Sequence, residues 1–341
     1  MASKRKTTIK DIADAAGVSV ALVSFVMNNM SGGKYRVSAK TTKKILSISE
    51  ELNYQPNDAA RSLRKGRSNT IGVILSDISN PFFSDIARCI EDKAYQYKYT
   101  VIFGSTDEDA GKLDNLIKVF INKGVDGLII VPCNGSRKHI EKVLEANIPL
   151  VLLDRTIPDL EVNHVTLNNK KALALAVGNL IEGGSRKIEM ISYAWSVSNI
   201  AEREAGYQHT MKQFSLSENI RIHRLKYKNI PDQMEKVVTE AVNKGAEALV
   251  FATNTLAIAG MKTLCKHNLR VPDDIAVVCF DSSEAFELYY TTVTYIKQPV
   301  EQFGQEALDL LVKAIGQKEQ TKCSTITLNP ELVTGKSSSR K

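Results

Sequence analysis

Four stretches of this chain place polar or charged side chains directly after an apolar run: Ser76-Asp77-Ile78-Ser79-Asn80-Pro81-Phe82-Phe83, Asp154-Arg155, Asn254-Thr255 and Asp281-Ser282-Ser283. Carboxylates and amides bond hydroxyl groups, and aromatic rings cover apolar faces, so such a set suits a small polyhydroxylated ligand. For any one of these residues a helix cap is the commoner role. Recurrence at four run ends carries the binding reading. Tyr193 and Trp195 follow a further apolar run and supply either a stacking face or surface packing. Covalent chemistry finds no support. No GxGxxG follows the first apolar run and no GxxxxGK[ST] occurs, which argues against a dehydrogenase or a kinase. No Ser/His/Asp or paired-carboxylate arrangement is recognisable. The five cysteines are far apart without a CxxC pair, and the five histidines show no close spacing, so neither a zinc site nor a disulfide framework is expected. No metal and no cofactor is implied.

The elements that would position these residues alternate between apolar runs and amphipathic stretches. Strands are predicted at 71–75, 100–104, 127–131, 150–153, 188–192, 223–227, 248–252 and 275–280. Helices are predicted at 83–97, 112–123, 139–146, 172–181, 232–244 and 256–267. Continuous Val/Ile/Leu strands between helices indicate parallel sheets covered on both faces. About eight such units over roughly 260 residues suit two doubly wound lobes better than one large sheet. In such a fold the ligand lies in a crevice beyond the carboxyl ends of the strands. The first lobe is expected at about 70–168 with a returning segment near 300–325, the second at about 169–298, and 336–341 as a polar tail.

The first seventy residues read differently. Thr8 and Asp11 have the spacing of a reciprocal helix cap, Gly17 can end that helix in the left-handed conformation, and Ser19 can cap the next. Two short helices joined by a glycine-containing turn outline a helix-turn-helix. A third helix is predicted from Ser38 to about Leu52. Ile45, Ile48 and Leu52 would join Ile12, Ala16, Val23 and Val26 in a small all-α core, and Asn53-Tyr54-Gln55-Pro56 closes the unit. The basic segment 56–68 is too poor in apolar residues to be stable alone. It is either a solvated linker or a hinge helix that orders against DNA. Residues 1–70 hold 13 basic and 5 acidic side chains of the chain's 45 and 38, so all of the net +7 resides there. That segregation suits phosphate binding and counterion release. No run of about 18 apolar residues suggests a membrane span, and no apolar leader core follows the charged N-terminus, so a cytoplasmic protein is expected.

Taken in order, these segments resemble the lactose-repressor/galactose-repressor (LacI/GalR) family of bacterial transcription regulators over essentially the whole length. The matching runs are TIKDIADAAGVSVALVS at 8–24, VSAKTTKKILSISEELNYQPNDAARSLRKGRSNTIGV at 37–73, DISNPFF at 77–83, VDGLIIVP at 125–132, EREAGY at 202–207, VFATN at 250–254, VPDDIAVVCFD at 271–281 and TTVTYIKQP at 291–299. The resemblance implies a homodimer on double-stranded DNA carrying a pseudo-palindromic operator, one reading helix per half-site. By position, Val20, Ala21 and Phe25 face base edges, with Leu22 beside them. Ser19, Ser24 and Asn28 touch phosphates or fix the helix, and Thr8, Arg36, Ser38, Asn57 and Arg61 complete the DNA-binding set. Ala60 and Leu63 match hinge positions that enter the minor groove, Leu63 as an apolar wedge. The chain departs from the family pattern at Phe25, usually Arg, and at Leu22, usually Thr. The loop from Asn29 to Arg36 is longer than is common. Arg at such a position reads guanine through two hydrogen bonds, whereas Phe can contact a thymine methyl or turn inward.

In the core, the resemblance implies a periplasmic-binding-protein type of two-lobed fold whose effector contacts Asn80, Phe82, Asp154, Arg203, Asn254 and Asp281, with Trp195 as a stacking candidate. Arg203 and Asp281 could form a charged grip on the ligand. The expected function is a transcriptional regulator, a repressor of a carbohydrate-utilisation operon, whose operator affinity a sugar or sugar derivative controls. The same architecture could answer to a nucleobase or a protein partner. A periplasmic sugar-binding protein shares the core but would carry a signal peptide in place of residues 1–56.

Overall fold

Caps set the N-terminal unit. In the computed structural model, which describes residues 7–27, 37–55, 66–317 and 322–339, Thr8 opens helix α1 (Ile9–Ala16). Its hydroxyl accepts from Asp11 N, and the Asp11 carboxylate accepts from the Thr8 N–H. Gly17 ends α1 at φ 69°, a conformation in which glycine escapes the Cβ penalty. Ser19 Oγ accepts from Leu22 N at 3.2 Å at the start of α2 (Val20–Met27), and Ser38 caps α3 (Ala39–Glu51). Ile12, Ala13, Ala16, Val23, Val26 and Ile45 form the shared core. Leu52, expected on that core face, is exposed instead. It is the C-cap residue of α3, past the last full turn, and Tyr54 packs against the cluster.

Met1–Ser68 and Asn69–Lys341 are separate compact units. The second begins with β1 (Thr70–Leu75), α4 (Pro81–Gln96), β2 (Thr100–Ser105), α5 (Ala110–Asn122), β3 (Gly127–Ile130), α6 (Arg137–Glu145), β4 (Leu150–Asp154) and β5 (Asn163–Leu167). It continues with α7 (Asn169–Glu182), β6 (Ile188–Tyr193), α8 (Ser198–Gln213), β7 (Arg221–Leu225), α9 (Ile230–Asn243), β8 (Ala248–Phe251), α10 (Asn254–Lys266) and β9 (Ala276–Phe280). Last come α11 (Glu284–Glu287), β10 (Thr294–Lys297), α12 (Val300–Gly316), β11 (Thr325–Leu328) and β12 (Glu331–Val333). The two sheets have the strand orders β11-β5-β4-β3-β1-β2 and β12-β10-β9-β8-β6-β7. Every pairing is parallel except β10 with the short edge strand β12, a departure from the purely parallel sheets expected.

The chain passes between lobes three times, after β5, after β10 and after β11. The segment returning to the first lobe therefore runs to Leu328, and β12 lies back in the second. The polar segment after Gly335 packs on the second lobe. Within the described residues, Ser337 and Ser338 are buried: Ser337 Oγ donates to Val277 O at 2.7 Å and accepts from Thr294 N at 2.8 Å. The Ser337 hydroxyl serves backbone groups of the second lobe and the Ser338 hydroxyl pairs with Thr294 Oγ1 at 2.8 Å, so polarity there marks packing rather than exposure. No helix among the described residues is long and apolar enough to cross a membrane.

Candidate functional site

Strand ends from both lobes converge on one cleft. From the first lobe come Asp77 and Asn80 after β1, Glu108 after β2, and Asp154 and Arg155 at the end of β4. From the second come Tyr193 at the end of β6 and Trp195 after it, Asn199 and Arg203 on α8, Tyr227 after β7, Thr253 and Thr255 around the start of α10, Asp281 after β9 and Gln298 after β10. Asp154 and Asp281 adopt φ 65° and 67°. Aspartate tolerates this left-handed conformation better than most residues, and the sharp turn ends each strand at the cleft.

Charges here are buried and mutually paired. Arg155, 4% exposed, gives its Nη1 and Nη2 to the Glu108 carboxylate at 2.8 and 2.7 Å, with Nη1 also on Pro132 O at 2.9 Å. Its Nε lies 3.5 Å from Asp154 Oδ2, which accepts from Asn199 Nδ2 at 2.8 Å. Burial pushes the Asp154 carboxyl up from its ordinary value, and the Arg155 and Arg203 charges pull it back. Arg203 donates Nε to Asn169 Oδ1 at 2.8 Å and Nη1 to Ala252 O at 2.7 Å, and lies 3.7 Å from the Phe280 ring centre. Asp281 accepts from Gln298 Nε2 at 2.5 Å, and burial raises its carboxyl to about 6 against the pull of Arg203. The grip expected between Arg203 and Asp281 is thus a proximity of charges, each side chain bonded to another partner. Asp154 Oδ1 and Gln298 Oε1 are buried without a hydrogen bond among the described residues. Buried acceptors of this kind call for a donor.

Of the seven core residues singled out from sequence, Asn80, Phe82, Asp154, Trp195, Arg203 and Asp281 line the cleft. Asn254 does not; it is buried beside the cleft and donates Nδ2 to Ser282 O at 2.8 Å. Asn80 also caps α4 through Phe82 N at 3.1 Å, and Phe82 packs edge-on against Phe83 and Phe303. Trp195 stacks on Tyr193 with ring centres 4.2 Å apart and approaches Tyr227 at 5.2 Å. Glu108, Asn199, Tyr227 and Gln298 were missed. The sequence predicts Tyr227 inside a strand at 223–227; β7 ends two residues earlier, which leaves Tyr227 in the cleft. The strand-end rule, applied after the strand expected at 100–104, reaches Glu108, whereas Gln298 follows β10, where the sequence predicts no strand.

On the other unit, Ser19, Val20 and Ala21 are exposed at the start of α2, Leu22, Ser24 and Phe25 are half-buried along it, and Thr8 and Ser38 are exposed at their caps. Val20 and Ala21 present only methyl groups there. Asn28, Arg36, Asn57, Ala60, Arg61 and Leu63 lie outside the described residues.

Two family models match the chain: "Bacterial regulatory proteins, lacI family" over residues 8–57, and "Periplasmic binding proteins and sugar binding domain of LacI family" over 68–333. The HTH-type transcriptional regulator RegA of Clostridium saccharobutylicum is 32% identical over 317 residues, 92% of this chain and 94% of that protein. The ribose operon repressor of Halalkalibacterium halodurans is 32% identical over 92% of this chain and 91% of its own length. The crystal structure of the lac repressor dimer bound to operator and the anti-inducer ONPF superposes with TM-score 0.82 at 26% identity, covering 98% of this chain and 100% of that one. A capped helix-turn-helix unit and a two-lobed core with a polar cleft, matched along nearly their full length, place this chain in the LacI family of DNA-binding transcriptional regulators.

Proposed function

We propose that the chain is a ligand-switched repressor of a carbohydrate-utilisation operon. It acts as a homodimer whose paired reading helices meet a pseudo-palindromic operator. The observation that carries the ligand half is the cleft itself: buried, mutually paired charges surround acceptors with no partner among the described residues, Asp154 Oδ1 and Gln298 Oε1, beside the Tyr193–Trp195–Tyr227 rings. Hydroxyl donors and the apolar face of a sugar ring would satisfy both features. The relative named as a ribose operon repressor supports the same class.

For DNA, the proposed contacts are Val20, Ala21, Leu22 and Phe25 toward bases and Thr8, Ser19, Ser24, Asn28, Arg36, Ser38, Asn57 and Arg61 toward the backbone. Ala60 and Leu63 take the minor groove. Effector in the cleft changes the population of lobe arrangements, and with it the population competent for DNA. Effector and operator then alter each other's affinity by the same factor, with about 1–3 kcal/mol of coupling typical. The test is operator selection from random duplexes, followed by titration of sugars into the complex. Trp195, the single tryptophan of the chain, reports cleft occupancy by fluorescence. A tight operator whose affinity shifts when a sugar perturbs that fluorescence is expected. Operator binding that ignores every compound bound in the cleft sinks the switch.

A further inference from the structure

The cleft is more acidic than its two arginines suggest. Its walls carry four carboxylates, from Asp77, Glu108, Asp154 and Asp281, against the guanidinium groups of Arg155 and Arg203. Both guanidinium groups are already held within the protein, Arg155 by three hydrogen bonds and Arg203 by two. Arg155 is clamped in two hydrogen bonds by Glu108, the pair being 5% and 10% exposed at the side chains, and its Nε sits beside Asp154. Arg203 is held by Asn169 Oδ1 and Ala252 O, 3.7 Å from the Phe280 ring centre, within the field of Asp154 and Asp281. Apart from Arg155 Nε, a donor 3.5 Å from Asp154, and the Tyr193 hydroxyl, the buried cleft atoms without hydrogen-bond partners among the described residues are the acceptors Asp154 Oδ1 and Gln298 Oε1. A ligand that donates hydrogen bonds satisfies them. A phosphate ester brings about two negative charges and mainly acceptor oxygens. In a partly buried cleft, repulsion between such charges is weakly screened.

We propose that Glu108 sets the charge selectivity of the cleft: by clamping Arg155 it keeps the site for an uncharged, hydroxyl-rich ligand and shuts out the phosphate ester of that ligand. The inference rests on the sensor reading above and narrows it. Glu108 acts here as a positioning residue, because it works through Arg155 rather than on the ligand. Arg155 in turn lies over the Trp195 ring, 5.7 Å from its centre, so release of the clamp would put a free guanidinium at the aromatic wall. A freed planar guanidinium is well suited to phosphate oxygens.

The test uses the full chain. It is incubated with the small-molecule fraction of a bacterial cell extract and freed of unbound compounds, and what it retains is identified by mass spectrometry. The retained compound and its phosphate ester or dephosphorylated parent are then titrated by calorimetry. The expected ligand is uncharged, with its phosphate ester bound at least roughly tenfold more weakly, about 1.4 kcal/mol. An anionic ligand bound as tightly as its neutral parent overturns the proposal and leaves the sensor reading intact. Retention of nothing overturns the sensor reading and this inference with it. Glu108→Gln is expected to close the gap to within about threefold by gaining ester affinity. The double variant Glu108→Gln/Arg155→Gln, which leaves no guanidinium to free, is expected to restore the gap. An unchanged gap in folded Glu108→Gln, or an equally narrowed one in the double variant, removes Glu108 from the role; should Glu108→Gln fail to fold, the wild-type ratio still decides selectivity.

Discussion

At the scale of single residues, Asp281 carries the clearest consequence of burying charge in the cleft. Its carboxyl is raised from 3.8 to about 6, chiefly by burial, with Arg203 and Gln298 opposing the rise. Between those two values the folded protein holds a proton that the unfolded chain has released. Stability linked to that proton is fully present below the unfolded value and is lost as pH rises through about 6. Two pKa units correspond to about 3 kcal/mol. Asp281→Asn cannot titrate and should lack this component. Urea unfolding at pH 4 and pH 7 is expected to show wild type losing up to about 3 kcal/mol more than the variant over that interval. Parallel pH dependences in the two proteins would show that the carboxyl titrates normally. The identity of this residue was legible in the sequence, because an aspartate directly after Cys279–Phe280 falls at a strand end. Its bond to Gln298 was not, since that needs β9 and β10 to lie side by side.

Among the elements, strands with continuous apolar runs were legible, and those without them were not. β5 and β12 have few large apolar residues, and β7 was displaced by two because Arg221 opens it. Helix α8 was missed for a reason tied to function. Its buried positions include Asn199, Arg203, Gly206 and Thr210, so the apolar stripe that identifies a core-facing helix is broken where the cleft is built. Gly206 on that same helix permits close packing against α7. A Cβ added there would fall 2.5 Å from Lys170 O and 2.9 Å from Lys170 Cα, both backbone atoms that no side-chain rotation can clear. Gly206→Ala should therefore push α8 away from α7, costing about 1–3 kcal/mol. Arg203, one turn earlier, would shift against its Asn169 and Ala252 partners. Chemical unfolding measures the cost, and ligand affinity should fall with it. A variant as stable as wild type would mean that the helices separate without strain.

For the core as a whole, the decisive question is what holds its two lobes closed across the cleft. Among the described residues three hydrogen bonds span it: Asn199 Nδ2 to Asp154 Oδ2 at 2.8 Å, Thr156 N to Ser198 Oγ at 2.7 Å, and Tyr227 OH to Asp77 Oδ2 at 2.9 Å. The last is the most separable. Asp77 is already fixed within its own lobe by Ser79, whose N and Oγ donate to Oδ1, and the Tyr227 ring packs on Tyr193 and Trp195 within the other. Tyr227→Phe thus removes one inter-lobe bond while leaving both local structures in place. A hydrogen bond to a carboxylate is worth about 1.5–3 kcal/mol when buried, and this half-buried one should contribute about 1 kcal/mol to closure. If the ligand binds the closed arrangement, its apparent affinity falls with the closed population, by about fivefold. Linkage then requires the effect of operator on effector affinity to change by the same factor as the effect of effector on operator. Trp195 fluorescence gives the first quantity and operator titration the second, with the melting temperature expected to stay near wild type. Unchanged effector affinity in Tyr227→Phe would mean that the Asp77 contact follows closure without favouring it, and that the other two bonds set the lobe equilibrium.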